Sequence, residues 1–265
     1  MISFVGAGPG AADLITLRGR DRLAGADVVV WASSLVPAAL LDHCRPGVVV
    51  HDSASMTLED VLAVYAASPD AAVVRLHSGD PSVYGAIQEQ IDWCVANGRD
   101  FEIVPGVSSV SAAAATLGRE LTIPQVSQSV VLTRLPGRTS ASMPERESVA
   151  AFAATGCTLA LFLSAARPAE LQQELLTGYL PSTPAAIVAR ATWPDEQVVR
   201  TTVGHLAADL KATGATTTVL VLVGDALGTG TGEGTPVARS HLYSPAYAHK
   251  FRRRSAPGST TGRPA

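Results

Sequence analysis

The 265-residue chain is poor in charge, in aromatic rings and in cysteine. Charged residues make up 16% of it and aromatic residues 5%, and a net charge of −3 supplies no basic field for nucleic acid or an anionic membrane surface. No apolar run approaches the roughly 18 residues that a membrane span needs. The chain passes from Met1 into a candidate strand without a cationic lead, so a cytoplasmic protein is expected. Cys44, Cys94 and Cys157 are odd in number and outside any C-x-x-C spacing, which argues for reduced buried thiols rather than disulfides or a zinc site. The six histidines show no ligand spacing, and Ser164 in Leu163-Ser164-Ala165 lacks the glycines of a nucleophile elbow. Neither a metal nor a covalent nucleophile is therefore expected. No internal repeat joins the two halves.

What the chain does have is alanine, valine and glycine, 47% hydrophobic residues, and length for one large or two ordinary domains. Short β-branched runs at Ile2 to Val5, Val28 to Val30, Val48 to Val50, Val73 to Leu76 and Phe101 to Val104 alternate with helical patterns at Leu35 to His43 and Leu58 to Ala67. That alternation predicts a parallel sheet with crossover helices. A polar connector, 118–129, leads to a second strand set: Val130 to Arg134, Thr158 to Leu163, Ala185 to Ala189, Val198 to Val203 and Thr218 to Val223. Helical patterns fall at Glu145 to Ala154, Arg167 to Thr177 and His205 to Thr213. Val198-Val199, directly after Asp195-Glu196 and before Thr201-Thr202, suggests a hairpin partner, hence a mixed sheet. The expected architecture is α/β: an N-terminal domain over 1–117, the connector, a C-terminal domain over 130–227, and a mostly disordered tail from 228, where Gly, Thr, Ser and Pro replace apolar periodicity.

The stretch Val73 to Gln90 carries most of the functional signal. A buried strand breaks into Ser78-Gly79-Asp80-Pro81, and Val83, Ile87 and Ile91 then recur at helical spacing, which predicts a long helix from Ser82. An open α/β sheet places its ligand at such a strand–loop–helix junction. Asp80 either closes the turn or faces a ligand. Pro105-Gly106-Val107-Ser108-Ser109 repeats the design, with Ser108 a candidate N-cap. The first loop, Gly6-Ala7-Gly8-Pro9-Gly10-Ala11, fits the G-x-G-x-x-A fingerprint of dinucleotide oxidoreductases. Against that reading, Pro9 lacks one of the N–H donors a pyrophosphate needs, the next helix starts only after Thr16, and the second strand ends without the ribose-binding acid.

These three loops, in this order and spacing, with Leu17-Arg18-Gly19 after the first, resemble the tetrapyrrole (corrin/porphyrin) methylases over about residues 2–226. The stretches SGDPSVYGAIQEQ, Ala191-Thr192-Trp193-Pro194-Asp195-Glu196, and Ser240-His241-Leu242-Tyr243 with His249-Lys250-Phe251-Arg252 point to one branch of that family. The resemblance implies two α/β domains with a ligand trough between them, a homodimer, S-adenosylmethionine as methyl donor and a tetrapyrrole of cobalamin synthesis as substrate. Donor contacts would fall on Pro9, Ser78, Gly79, Asp80, Val83, Ser108, Ser109, Leu163, Ala191 and Thr192. Relatives often carry methionine at position 163 and glycine at 78.

Methyl transfer from a sulfonium is an in-line displacement that positioning and desolvation can drive. The attacking ring carbon must later lose a proton; His77 and Asp80 are the candidate catalytic groups, with a hydrogen-bonded structural role as the alternative for His77. A polycarboxylate ring calls for cations, and Arg119, Arg134 and Arg190 are the candidates. Three other readings stay open: methylation of a different tetrapyrrole or ring carbon, a dinucleotide oxidoreductase, and a tetrapyrrole carrier without catalysis.

Overall fold

A computed structural model of the chain describes residues 1–136, 143–228 and 240–259. The first sheet comprises β1 (Ile2–Gly6), β2 (Val28–Trp31), β3 (Val49–Asp52), β4 (Val73–His77) and β5 (Phe101–Val104). Their order is β3-β2-β4-β1-β5 and every pair is parallel. A parallel sheet needs cover on both faces, so its strands read as continuous apolar runs. On one face Val5, Val29, Val74, Leu76 and Val104 pack with Leu23 of α1 (Leu17–Ala24). On the other, Ile2, Phe4, Val28, Val30 and Val73 meet Val61 and Tyr65 of α2 (Leu58–Ala67) and Cys94 of α3 (Gln88–Ala96). Thr16 caps α1 by accepting the Gly19 amide, and Thr57 forms a reciprocal capping box with Asp60 at α2.

Two segments differ from the sequence expectation. The Leu35 to His43 pattern forms a 3-10 helix over Ala38–His43, entered through Pro37. The helix expected from Ser82 begins only at Gln88, because Tyr84 (φ 57°) and Ala86 (φ 50°) take left-handed backbone, with 81–84 in turns and 85–87 irregular. Hydrophobic spacing alone does not reveal that reversal.

After α4 (Ser109–Leu117) the second sheet comprises β6 (Val130–Arg134), β7 (Thr158–Phe162), β8 (Pro184–Ala189), β9 (Gln197–Thr202) and β10 (Val219–Val223), in order β6-β7-β10-β8-β9. The β6–β7 pair is parallel and the other pairs are antiparallel, including the β8–β9 hairpin, so this sheet is mixed. The central strand β10 alternates strictly. Val219, Val221 and Val223 face a core shared with α5 (Val149–Ala153), α6 (Pro168–Leu175) and α7 (Leu206–Ala212). Leu220 and Leu222 face Val110, Ala112, Ala113 and Leu117 of α4. The helix that leaves the first sheet is thus buried on the second, and its alanines allow the close fit.

The tail expectation falls partly on 229–239 and 260–265, outside the described residues. Within 240–259 the chain has local order: the Arg252 guanidinium donates to the carbonyls of Leu242, Ser244 and Tyr247, and His241 packs edge-on to Tyr247 at 4.7 Å. One long side chain gathering three carbonyls is not visible to a composition argument.

The loops after β4, β1 and β5, neighbours in the sheet, meet at its C-terminal edge. Gly8 and Gly79 exchange backbone hydrogen bonds at 3.2 and 2.8 Å. The Asp80 carboxylate accepts the Ser82 amide through Oδ1 and the Gly106 amide through Oδ2, each at 2.8 Å. A Cβ on Gly6 would lie 2.5 Å from Gly106 Cα, and one on Gly106 would lie 2.7 Å from Gly6 Cα and closer still to the Gly79 carbonyl oxygen. His77 ends β4 on the α2/α3 face, 7% exposed, beside Phe4, and its Nε2 makes no hydrogen bond among the described residues. Burial, helped by the nearby Arg75 charge, pushes its pKa down to about 3.

Two expectations follow from this packing. Gly106→Ala drives a methyl into backbone that cannot give way, so it should destabilise the protein by about 1–3 kcal/mol or more, read as a lower urea midpoint. His77 is neutral in the folded protein but protonates near pH 6.5 when unfolded. The unfolded state therefore binds the extra proton between pH 6.5 and about 3. Stability is held above that window and is lost as pH falls through it, with a slope approaching ~1.4 kcal/mol per pH unit from this group. His77→Asn should flatten the decline between pH 6.5 and 4; equal slopes in urea unfolding would show that His77 is not held neutral.

Candidate active site

Where the three glycine loops face the second sheet they enclose a cavity of about 310 Å³. Pro9, Ser78, Gly79, Asp80, Val83, Tyr84, Ser108 and Ser109 line it from the first side, with Leu35 at the edge. Phe162 at the end of β7 and Leu163, Ser164 and Ala165 after it, Val188 and Ala191 around the end of β8, and Thr216 to Leu220 entering β10 line it from the second. The walls are apolar and most of the polar groups are neutral hydroxyls. Ser164 is already engaged: its Oγ accepts the Leu135 amide at 2.8 Å and donates to the Phe162 carbonyl at 2.6 Å.

Backbone strain concentrates here. Tyr84, Leu163 (φ 51°) and Thr218 (φ 55°) line the cavity, and Arg190 (φ 52°) and Thr192 (φ 65°) flank Ala191. Each left-handed non-glycine residue costs on the order of 1–3 kcal/mol, an expense that recurs at ligand sites. At Leu163 the strain turns an apolar side chain out of the strand, leaving it 71% exposed in the cavity wall. Tyr84 packs against Phe162 at 5.1 Å across the cleft, and burial raises its hydroxyl pKa.

Of the donor-contact residues expected from the sequence, Pro9, Ser78, Gly79, Asp80, Val83, Ser108, Ser109, Leu163 and Ala191 line this one cavity. Thr192 sits just behind it: its Oγ1 accepts the Ala11 amide at 2.9 Å, and its own amide donates to Glu196. Ser108 is also the N-cap of α4, accepting the Val110 amide at 3.3 Å. Asp80 combines the two roles weighed for it, lining the cavity while both its oxygens hold backbone amides. His77 does not line the cavity; it lies behind the loop in the first sheet's core.

None of the three candidate arginines lines the cavity. Arg119 follows the α4 C-cap, and its amide donates to Ala114. Arg190 is paired with Asp195 at 2.6 Å and stacked on Trp193. Arg134 pairs across the strands with Phe162, and its charge acts on Tyr84, both lining residues. Sequence reasoning missed Leu35, Tyr84, Phe162, Ser164, Ala165, Val188 and Thr216 to Leu220. The Thr216-Thr217-Thr218 run ahead of a buried strand was the available signal. Among the described residues no group of three or more His, Cys, Asp and Glu side chains is placed to hold a metal ion, and no helix is long and apolar enough to cross a membrane.

The geometry also bears on the fingerprint. The amides of Ala7, Gly8 and Gly79 are spent on one another's loops, and that of Ala11 on Thr192. The next α-helix starts at Leu17. A pyrophosphate would find these amides already engaged and no α-helix N-terminus at this loop.

The model of the Tetrapyrrole (Corrin/Porphyrin) Methylases matches residues 1–207. A precorrin-4 C(11)-methyltransferase of a Sinorhizobium species is 46% identical over 255 residues, covering 96% of this chain and 98% of that protein. The crystal structure of a cobalt precorrin-4 methyltransferase aligns with a TM-score of 0.82 at 44% identity, over 85% of this chain and 95% of that one. A uroporphyrin-III C-methyl transferase from Thermus thermophilus, solved with S-adenosyl homocysteine, aligns with a TM-score of 0.71 at 28% identity, over 86% and 98%. Two sheets meeting over a cavity floored by three glycine loops, and a family match across most of the chain, lead to one conclusion: this protein belongs to the tetrapyrrole (corrin/porphyrin) methylases.

Proposed function

We propose that the protein transfers a methyl group from S-adenosylmethionine to C-11 of precorrin-4, or of its cobalt form, in cobalamin biosynthesis. The observation that carries the reading is the single cavity in which Pro9, Gly79, Asp80, Ser108, Leu163 and Ala191 converge from loops of both sheets. The branch is favoured by likeness: relatives named for precorrin-4 or cobalt-precorrin-4 stand at 42–46% identity, while the uroporphyrinogen-III methyltransferase stands at 31%.

The cavity suits the donor. Gly79 lines it with left-handed backbone (φ 65°) and a bare Cα, where a Cβ would come into ordinary contact, 3.8 Å, with the Ser108 and Ser109 backbone of the third loop. Leu163, Val188, Ala191, Val219 and Leu220 offer an apolar face for a purine, and Ser78, Ser108, Ser109 and Thr216 to Thr218 offer hydroxyls for its polar edges and the sugar. When bound, the donor supplies an electrophilic methyl on a sulfonium; the S–CH₃ pair stays on sulfur, the ring carbon gains the methyl, and a ring proton leaves to solvent. Asp80 fixes the loops that hold the donor, each of its oxygens accepting a backbone amide. Arg134, near Tyr84 and Phe162 at the cleft, is assigned to a substrate carboxylate. A homodimer accompanies this reading and is checked by sedimentation.

The direct test incubates the protein with S-adenosylmethionine and precorrin-4 or cobalt-precorrin-4, with uroporphyrinogen III as control. One added methyl at C-11, read by mass and NMR, is the expected product; methylation of the control alone would move the protein to another branch. Asp80→Ala removes a charge-assisted partner from two amides, each worth about 1.5–3 kcal/mol, so S-adenosylhomocysteine affinity should fall at least tenfold by calorimetry. Arg134→Ala should weaken tetrapyrrole binding and leave donor binding within twofold; equal losses would assign Arg134 to folding.

A further inference from the structure

We propose that Ala191–Glu196 is a latch that holds the two walls of the donor cavity at their working separation, with Trp193 as its positioning residue. The proposal rests on the functional reading above. Trp193 does not line the cavity. Its indole Nε1–H donates to the Pro9 carbonyl at 3.1 Å, and the neighbouring Thr192 Oγ1 accepts the Ala11 amide at 2.9 Å. Pro9 belongs to the wall built on the first sheet and Ala191 to the wall built on the second. These two bonds, across more than 180 residues of chain, therefore tie wall to wall directly. Gly10 removes the slack between them, since a Cβ there would strike Trp193 Cδ1 and lie 2.7 Å from the Ala191 carbonyl oxygen.

The latch is stiffened from outside. The Arg190 guanidinium lies 4.0 Å over the Trp193 ring while its Nε donates to Asp195 at 2.6 Å, fixing the plane of the indole. Glu196 Oε2 accepts the Thr192 amide at 2.6 Å and the Thr116 hydroxyl of α4 at 3.3 Å, so the left-handed turn is braced by a carboxylate that reaches the interlayer helix. Beyond Ala191 the turn lies outside the cavity lining, yet it fixes two lining residues, Pro9 and Ala191, and so acts on the geometry of binding. In-line transfer is sensitive to displacements of about 1 Å in the placement of the reacting groups. Parting of Pro9 from Ala191 would loosen the donor first and leave the tetrapyrrole contacts at the rim in place.

Trp193→Phe keeps the ring under Arg190 and deletes the N–H; Thr192→Val keeps the shape and deletes the acceptor. Each variant is titrated calorimetrically with S-adenosylhomocysteine, assayed for methyl transfer, and unfolded in urea without ligand. The expected result is a Kd about tenfold higher and a lower kcat in each, with the tetrapyrrole KM within twofold of wild type. A merely structural role would lower the urea midpoint and leave the affinity of the folded protein unchanged, and that result overturns the proposal. Should Trp193→Phe fail to fold, Thr192→Val decides on the same criterion. Wild-type protein that binds no S-adenosylhomocysteine overturns the functional reading and the latch with it, whereas variants that bind like wild type overturn the latch alone.

Discussion

The constraint on which the molecule depends is the approach of three backbones with no side chain between them. Gly6, Gly79 and Gly106 come from adjacent strands of a parallel sheet and sit so close that a methyl on Gly6 or Gly106 would overlap main-chain atoms of the others. Such contact leaves no room for water, so the polar groups within it must satisfy one another. They do so through the Gly8–Gly79 exchange and through Asp80, whose carboxylate joins the second loop to the third. A rigid floor results, and it engages the Ala7, Gly8 and Gly79 amides that a phosphate-binding loop would present. The same glycine spelling that serves nucleotide pyrophosphates elsewhere here serves loop-to-loop packing.

The second sheet adds a wall to that floor, and the joint is made by fitting small residues. The alanines of α4 lie on Ala160, Ala186 and Val188, letting a helix that starts at the third glycine loop dock on the opposite sheet. One segment thus ends in both the floor and the wall. Left-handed residues then gather around the cavity, at the ends of β7 and β8 and the start of β10. Two well-packed cores behind the cavity, one on each sheet, supply the stability against which such strain can persist.

The sequence showed the strands plainly, because β-branched runs bounded by glycine and proline leave few alternatives, and Val198-Val199 between Asp195-Glu196 and Thr201-Thr202 signalled the hairpin. The loops were legible for the same reason: Gly79-Asp80-Pro81 and Pro105-Gly106 admit only turns. Illegible were features decided by distant contacts. Val83, Ile87 and Ile91 fit a helix, yet Tyr84 turns back to pack on Phe162, some 78 positions along the chain, and the helix starts late. His77 and the arginines have the chemistry of a site, but which face of a strand a residue occupies relative to a cleft is set by the parity of the pairing and by what covers each face. Parity puts His77 with Val73 and Arg75 on the α2/α3 face, away from the donor cavity. Thr216 to Leu220 were overlooked because their run reads as the opening of a buried strand, which it also is.

A site with so little acid–base equipment suits the reaction assigned to it. Among the described residues Asp80 is the one carboxylate lining the cavity, and each of its oxygens accepts a backbone amide. In sulfonium methyl transfer positive charge leaves sulfur and spreads toward the ring as the bond forms. An apolar wall of Leu163, Val188, Ala191, Val219 and Leu220 solvates the localised cation of the ground state less well than the dispersed charge of the transition state. Rate then comes from holding two partners in line, and that demand falls on the parts that cannot yield: the fused glycine floor, the strained turns and the cross-wall hydrogen bonds at Pro9 and Ala11. Where a hydrolase would place a nucleophile and its base, this fold places main chain.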